Sequence, residues 1–286
     1  MNLLRSLMLF VLLLPSWAQA QREPDAILQK LNELAWQKGP GEGVIAGKAK
    51  IRIPEGYAFL DEKNARRFLE IMGNPPRDGH YLLAPQNLDW FAVFSFEAVG
   101  YVKDDEKIDA DALLKTLKES DERGNEERKR LGMDAVYTDS WHVPPHYDPQ
   151  TKRLEWGVRL RSERGSMNVN YTSRLLGRTG VVSAVLVCSV RTLEADMKSF
   201  NRALAGYEFN AGEKYAEFKE GDKVAEYGLA ALVLGGAAAA AAKAGWLKFL
   251  GKFWIVIVAG VAALWGSIKK LFGRRNPPPP PSPGQQ

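Results

Sequence analysis

The 286-residue chain has a single cysteine, Cys188, and only three histidines. One cysteine excludes an intrachain disulfide even in an oxidising compartment. Cys188 lies in the apolar run Val181–Val190, the setting of a packed core thiol rather than of a nucleophile. Three histidines leave little material for a metal centre or a hydrolytic triad. His142 and His146 are four apart, but Pro144 and Pro145 between them exclude the helix that would align both imidazoles on one metal. A Gly-x-Ser-x-Gly elbow is absent, and Gly43–Lys48 lacks the spacing and the hydroxyl residue of a phosphate loop. No metal and no cofactor are therefore expected.

A strong charge of one sign is also missing from the body of the chain. Residues 21–223 carry 31 Lys+Arg against 33 Asp+Glu, whereas 224–286 carry seven basic residues and one acid. The overall +5 thus belongs to the C-terminal end and gives no reason to expect nucleic acid as a partner. It fits a membrane-flanking tail, where basic residues set orientation and meet anionic lipid.

Both ends are apolar. Arg5, the run Leu7–Leu14, Pro15 and Ala18-Gln19-Ala20 have the order of a cleavable export signal over 1–20, the run being too short to span a bilayer. The region 224–275 reads as a membrane anchor, with a firm span over about 249–268 and a possible second over 227–242. Phe253–Ile268 is sixteen uncharged residues, about 24 Å of helix, and Trp246, Lys248, Lys252, Lys269 and Lys270 can anchor its ends in the interfaces. Tyr227–Ala242 is rich in alanine and glycine and would insert only by packing against that span. Lys269, Lys270, Arg274 and Arg275 favour a single crossing with 276–286, a disordered polyproline end, inside. Membrane lipid and envelope proteins are the expected partners.

Residues 21–223 form one stretch without a Pro/Gly/Ser-rich linker, enough for one exported domain. Asp25, Asp61, Asp109 and Thr192 stand where helix caps are expected, each before an apolar pattern of helical spacing. Asp121–Arg130, nearly all charged and containing Gly124, reads as a solvated extension or loop. Ala49–Ile53, Tyr81–Ala84 and Trp90–Phe96 read as strands, the last apolar on nearly both faces and so central. Arg153–Arg161, Met167–Leu175 and Val181–Val190 form a three-stranded antiparallel meander. The fold class is α+β: a mainly antiparallel sheet with packed helices, plus a C-terminal transmembrane helix or helical hairpin.

The candidate site residues are few. If the meander pairs as its spacing suggests, Arg153, Arg159 and Arg161 share a face with Asn168, Asn170, Thr172 and Arg174, a polar array suited to an anionic sugar, headgroup or carboxylate. Asp104, Asp105, Tyr101 and Tyr147 are the acids and phenols that an envelope enzyme would use. Two classes stand side by side: a membrane-tethered binding or adaptor domain, and an enzyme acting on a cell-wall or lipid-related substrate.

A set of spaced motifs runs through the chain: Ile53-Pro54-Glu55-Gly56-Tyr57-Ala58-Phe59-Leu60, Gly100-Tyr101-Val102-Lys103-Asp104-Asp105, Trp141, the Pro145–Asp148 stretch, Leu154-Glu155-Trp156, Asn170-Tyr171, Leu176-Gly177-Arg178-Thr179-Gly180 and Ala225-Glu226-Tyr227-Gly228-Leu229. In this order they resemble the bacterial family called domain of unknown function 2167, over nearly the whole mature chain. The resemblance implies an exported, membrane-anchored envelope protein and brings no activity, cofactor or catalytic residue with it. The Pro-Glu-Gly-Tyr start looks more distantly like exported lipoprotein domains of the PsbP and Mog1 type, in keeping with α+β architecture.

Overall fold

In the computed structural model the described residues are 27–235 without 73, 75 and 131–133. The expected span over 249–268, residues 236–242 of the possible second span, the export signal and the proline-rich end lie outside them. Among the described residues no helix is long and apolar enough to cross a membrane.

The chain opens with helical residues 27–32 (α1), then β1 (Gln37–Lys38), β2 (Gly41–Ile45), β3 (Ala49–Ile53), β4 (Tyr57–Leu60), α2 (Glu62–Ile71), β5 (His80–Pro85) and β6 (Trp90–Glu97). It continues through α3 (Ala110–Arg130), β7 (Val136–Asp148), β8 (Arg153–Ser162), β9 (Met167–Leu176) and β10 (Val181–Cys188). It closes with α4 (Leu193–Leu204), β11 (Tyr207–Phe209), a 3-10 turn at Tyr215–Glu217 and α5 (Leu229–Val233). Eight strands form one sheet in the order β1-β4-β5-β6-β10-β9-β8-β7, and β11-β3-β2 form a second; every named pair is antiparallel. The mixed, mainly antiparallel architecture and the β8–β9–β10 meander match the expectation from periodicity.

Side-chain alternation divides the core. On one face Phe59, Leu83, Phe94, Val182, Ala184 and Leu186 pack against Ile45, Ile51, Ile53 and Phe209 of the small sheet and Phe200 and Leu204 of α4. On the other, Leu82, Phe91, Val93 and Val187 lie under α1 and α2, and Leu154, Trp156, Leu176 and Val181 lie with Leu113 of α3 and Leu229, Leu232 and Val233 of α5. β10 is buried on both faces from Val181 to Val187, which places it, with β6 beside it, at the centre of the sheet.

Asp61 caps α2 as expected, accepting from the Asn64 amide at 2.9 Å, and Asp109 accepts from the Ala112 amide at 3.0 Å. Thr192 does not cap through its side chain; its hydroxyl donates to Asp196 instead. The largest departure is α3, which continues through Arg130 where a solvated extension was expected. Asp121 accepts from the Thr138 amide (2.6 Å) and hydroxyl (2.8 Å), Asn125 exchanges two bonds with the Val136 backbone (2.8 and 2.9 Å), and Arg128 Nε donates to Asp134 O. These residues, four and three apart, put a polar stripe rather than an apolar one against β7.

β7 itself was not anticipated, because Pro144 and Pro145 disfavour a strand. It is tolerated at the sheet edge, where β7 has a strand partner on one side only and a register irregularity against β8 between Val143 and His146 takes up both prolines. Asn125→Ala should lower unfolding free energy by about 1–3 kcal/mol, because it strands the Val136 N–H and C=O in a part-buried site. Urea unfolding of the full chain in detergent measures this, and a loss under about 0.5 kcal/mol, ordinary for a surface change, would show that α3 is held otherwise.

Candidate functional site

The acids and phenols noted in the sequence converge where the strands of the meander begin and end. Gly100 adopts φ +94°, and a Cβ there would come within 2.5 Å of Lys223 O. That close approach lets Tyr101 run beside the segment that follows the 3-10 turn: its amide donates to Lys223 O at 2.8 Å, and the Ala225 amide donates to Tyr101 O at 2.9 Å. Val102 is then buried, and Asp104 faces the end of β7 and the β7–β8 turn.

There Tyr147 Oη donates to Asp104 Oδ2 at 2.7 Å, and Lys152 Nζ reaches the same oxygen at 2.9 Å. The Lys152 ammonium stands 4.9 Å from the centre of the Tyr215 ring, which stacks on Tyr101 at 4.3 Å and donates its hydroxyl to Val102 O at 2.8 Å. Phe218 covers the Tyr101 ring at 4.3 Å. Asp105 is exposed and outside the cluster. Of the four residues singled out as a possible catalytic set, Tyr101, Asp104 and Tyr147 come together. Lys152, Tyr215 and Phe218 complete the group without any local sequence signal pointing to them.

Electrostatics define what this cluster can do. Partial burial works against ionisation of Asp104, but hydrogen bonds from Lys152 and Tyr147 outweigh it and hold the carboxyl below its usual range. Burial, then the bond to the Asp104 carboxylate, pushes the Tyr147 phenol well up; burial and the neighbouring Tyr101 and Asp104 do the same to Tyr215. Asp104 is thus an ion and the phenols are neutral across the physiological range. The group is built to hold charge in place rather than to exchange a proton near neutrality.

A second set of pairs fastens the same segment. Arg178 grips Asp222 through two bonds of 2.6 and 2.7 Å, which push that carboxyl down to about 2. Glu213 is held by Lys48 and Thr179, and Glu106 accepts from the Ala230 amide at 3.0 Å. Gly228 leaves room for this bond, because a Cβ there would meet Glu106 Oε2 at 2.2 Å and displace the carboxylate. Residues 224–233, placed in the anchor region on composition, therefore continue the domain, with Leu229, Leu232 and Val233 buried in its core.

The expected anion-binding face is corrected. Arg161 pairs with Met167, Arg159 with Val169 and Arg153 with Leu175, so these arginines share a face with Tyr171 and Ser173. Asn170 lies opposite Val158 and Arg174 opposite Leu154, which puts Asn168, Asn170, Thr172 and Arg174 on the other side of the sheet. The expectation had the strands one residue out of step, and a slip of one exchanges the faces. Arg174 is fully buried and ion-paired with Glu97. Arg153 is held by Glu155 (3.0 Å) and Asn201 (3.2 Å), and Ser173 donates to the same glutamate at 2.6 Å.

Arg159 approaches His142 Nδ1 at 3.3 Å, and Arg161 lies 5.3 Å over the exposed Tyr137 ring. His142 meets Glu194 at 3.0 Å while His146 lies 3.6 Å from Glu155, so the two imidazoles turn to different carboxylates. Among the described residues no group of three or more His, Cys, Asp or Glu side chains is placed to hold a metal.

An antiparallel α+β domain with its C-terminal segment clasped to the sheet by paired acids and stacked tyrosines is the class these features define. The family model described as Protein of unknown function (DUF2167) matches residues 37–266, and the chain belongs to that family. Among solved structures it is similar to the solution structure of cyanobacterial PsbP (CyanoP) from Synechocystis sp. PCC 6803, at 11% identity and a TM-score of 0.35, over 59% of this chain and 92% of that one. No curated protein matches it.

The carboxyls of Asp104, Glu213 and Asp222 are all lowered in the folded state. Their stabilisation is therefore complete above the unfolded carboxylate range, near pH 4, and is lost as pH falls through the folded values toward about 2. Thermal melts between pH 7 and 2.5 should show the transition falling below pH 4. Asp104→Asn should cost about 1.5–3 kcal/mol at pH 7, the worth of hydrogen bonds to a charged group, and remove part of the acid slope; an unchanged slope would dissociate Asp104 from the acid response.

Proposed function

We propose that this is an exported envelope protein, anchored in the cytoplasmic membrane by the span over 249–268, whose periplasm-facing domain acts as a binding or adaptor module held at a set orientation. The observation that carries this reading is the fusion of the outgoing chain to the domain: the Tyr101 backbone bonds to Lys223 and Ala225, the Glu106–Ala230 bond, and the burial of Leu229, Leu232 and Val233. A tethered enzyme gains from a free linker that lets it search. A domain whose exit segment is packed into its own core is suited instead to presenting one surface to a partner. The face carrying Arg159, Arg161 and Tyr137 is the surface this reading assigns to anionic groups on envelope proteins or polymers.

An envelope enzyme remains the second reading, favoured by the convergence of Tyr101, Asp104 and Tyr147. Crosslinking in intact cells, with identification of recovered proteins, separates the two. The adaptor reading expects envelope proteins to be recovered with the wild type and to fall off in an Arg159→Glu/Arg161→Glu variant that still melts as the wild type does. Turnover of a cell-wall or lipid substrate that disappears in a folded Asp104→Asn variant, with no protein recovered, would overturn it.

A further inference from the structure

Among the described residues six large apolar side chains are notably exposed, and two of them, Phe218 at 39% and Val224 at 38%, bracket one loop beside the clasp. Neither is loosely placed. The Phe218 ring rests on Tyr101, itself stacked on Tyr215, and Val224 sits at the bridge to Tyr101. Between them Asp222 turns inward to Arg178 and accepts from the Lys219 amide at 2.7 Å, which fixes the loop's shape and takes one acid out of its outer surface. Lys219 and Lys223 are exposed, as are Lys103 and Lys107 on the neighbouring segment. Glu220, Glu226, Asp105 and Glu106 are exposed as well, so the electrostatic attraction this surface offers is modest and rests on the two loop lysines.

The place of this loop in the chain says what it meets. Leu229, where α5 begins, follows Val224 by five residues, and the described chain ends at Gly235. Residues 236–248, thirteen in all, separate that point from the start of the apolar run, a reach of about 20 Å as helix and at most about 47 Å extended. A rigid aromatic and a valine flanked by lysines, on the end of the domain from which the anchor departs, is the composition of a surface that enters a headgroup layer.

We propose that the 218–224 loop docks the domain onto the anionic bilayer in which the chain is anchored: Phe218 and Val224 enter the headgroup region, and Lys219 and Lys223 meet lipid phosphates. This rests on the anchored reading given above. It also assigns the domain's outward end. β8 runs ten residues from Arg153, beside the clasp, to Ser162, about 30 Å away, so Arg161 and Met167 beside the β8–β9 turn, and Tyr137 opposite Arg161 on β7, face away from the membrane.

The test uses the full chain in proteoliposomes of phosphatidylethanolamine and phosphatidylglycerol containing bromine-labelled acyl chains. In a Cys188→Ala background, an environment-sensitive fluorophore is placed at Phe218→Cys or at Met167→Cys. Quenching is expected at 218 and not at 167. Lys219→Gln and Lys223→Gln should each reduce bilayer occupancy about fivefold, equivalent to ~1 kcal/mol of surface attraction per lysine. Val224→Cys serves as a second reporter should Phe218→Cys loosen the stack on Tyr101. If the protein resists an alkaline wash but the labels at 218 and 224 are unquenched, or 167 is quenched equally, the docking surface is overturned while the anchor stands. Release of the protein from the vesicles by the wash overturns both.

Discussion

The backbone pairing of Tyr101 with Lys223 and Ala225 is the contact on which the arrangement of this domain depends. It joins two segments about 120 residues apart in sequence, one leaving β6 and one leading toward the C-terminal end. It is possible because Gly100 carries no side chain at a point where Lys223 O would collide with one. Once the two segments lie side by side, Tyr101 presents its ring to Tyr215 and Phe218, Val102 closes the core above Leu154 and Leu176, and Asp104 is delivered to Lys152 and Tyr147. The ion pair follows from the backbone geometry and does not create it.

That order matters for how the clasp is valued. A partly exposed Lys–Asp pair contributes little on its own, about 0–1 kcal/mol. Asp104 differs because Lys152 and Tyr147 share one of its oxygens, and the three residues come from segments 43 and 48 positions apart. Removing the carboxylate would leave a phenol and an ammonium facing a site that desolvates them, so the loss exceeds what the pair gains over solvent. Such a cluster specifies which surfaces meet more strongly than it stabilises the meeting. The pair of fully buried Arg174 with partly exposed Glu97 acts in the same way across β9, β10 and β6: Arg174 lies opposite Ser183, and a misregistered sheet would strand a guanidinium in the core.

Legibility in the sequence divides along the same physical line. Where apolar periodicity does the docking, reading it was sufficient: the meander, the central β6 and the faces of α2 and α4 follow from alternation and helical spacing. α3 beyond Ser120 and all of β7 were hidden because they hold each other through Asp121, Asn125, Arg128 and backbone groups, which in a linear sequence look like solvated charge. The candidate arginine face failed on a smaller point. Alternation within β8 and within β9 was correct, but the phase between them is set by the 162–166 turn, and periodicity does not report phase. The acid–phenol cluster was half visible: Tyr101, Asp104 and Tyr147 are conspicuous as residue types, whereas Lys152 and Tyr215 reach them only through the turn after β7 and the segment after β11.

On the anchored reading proposed above, the domain would be held by a flexible leash or by a continuous rigid path, and the two serve different purposes. Here the path is continuous as far as the chain is described: sheet, Tyr101 pairing, stacked rings, then α5 with three side chains in the core. Rotating α5 relative to the sheet would expose Leu229, Leu232 and Val233, at roughly 1.5–3 kcal/mol for each large apolar side chain brought into water. The sum exceeds thermal energy several times over, so the orientation of β8 relative to the exit point is set by packing. The arginines of β8 are consequently presented in a fixed direction, and any partner that meets them meets the whole face at once.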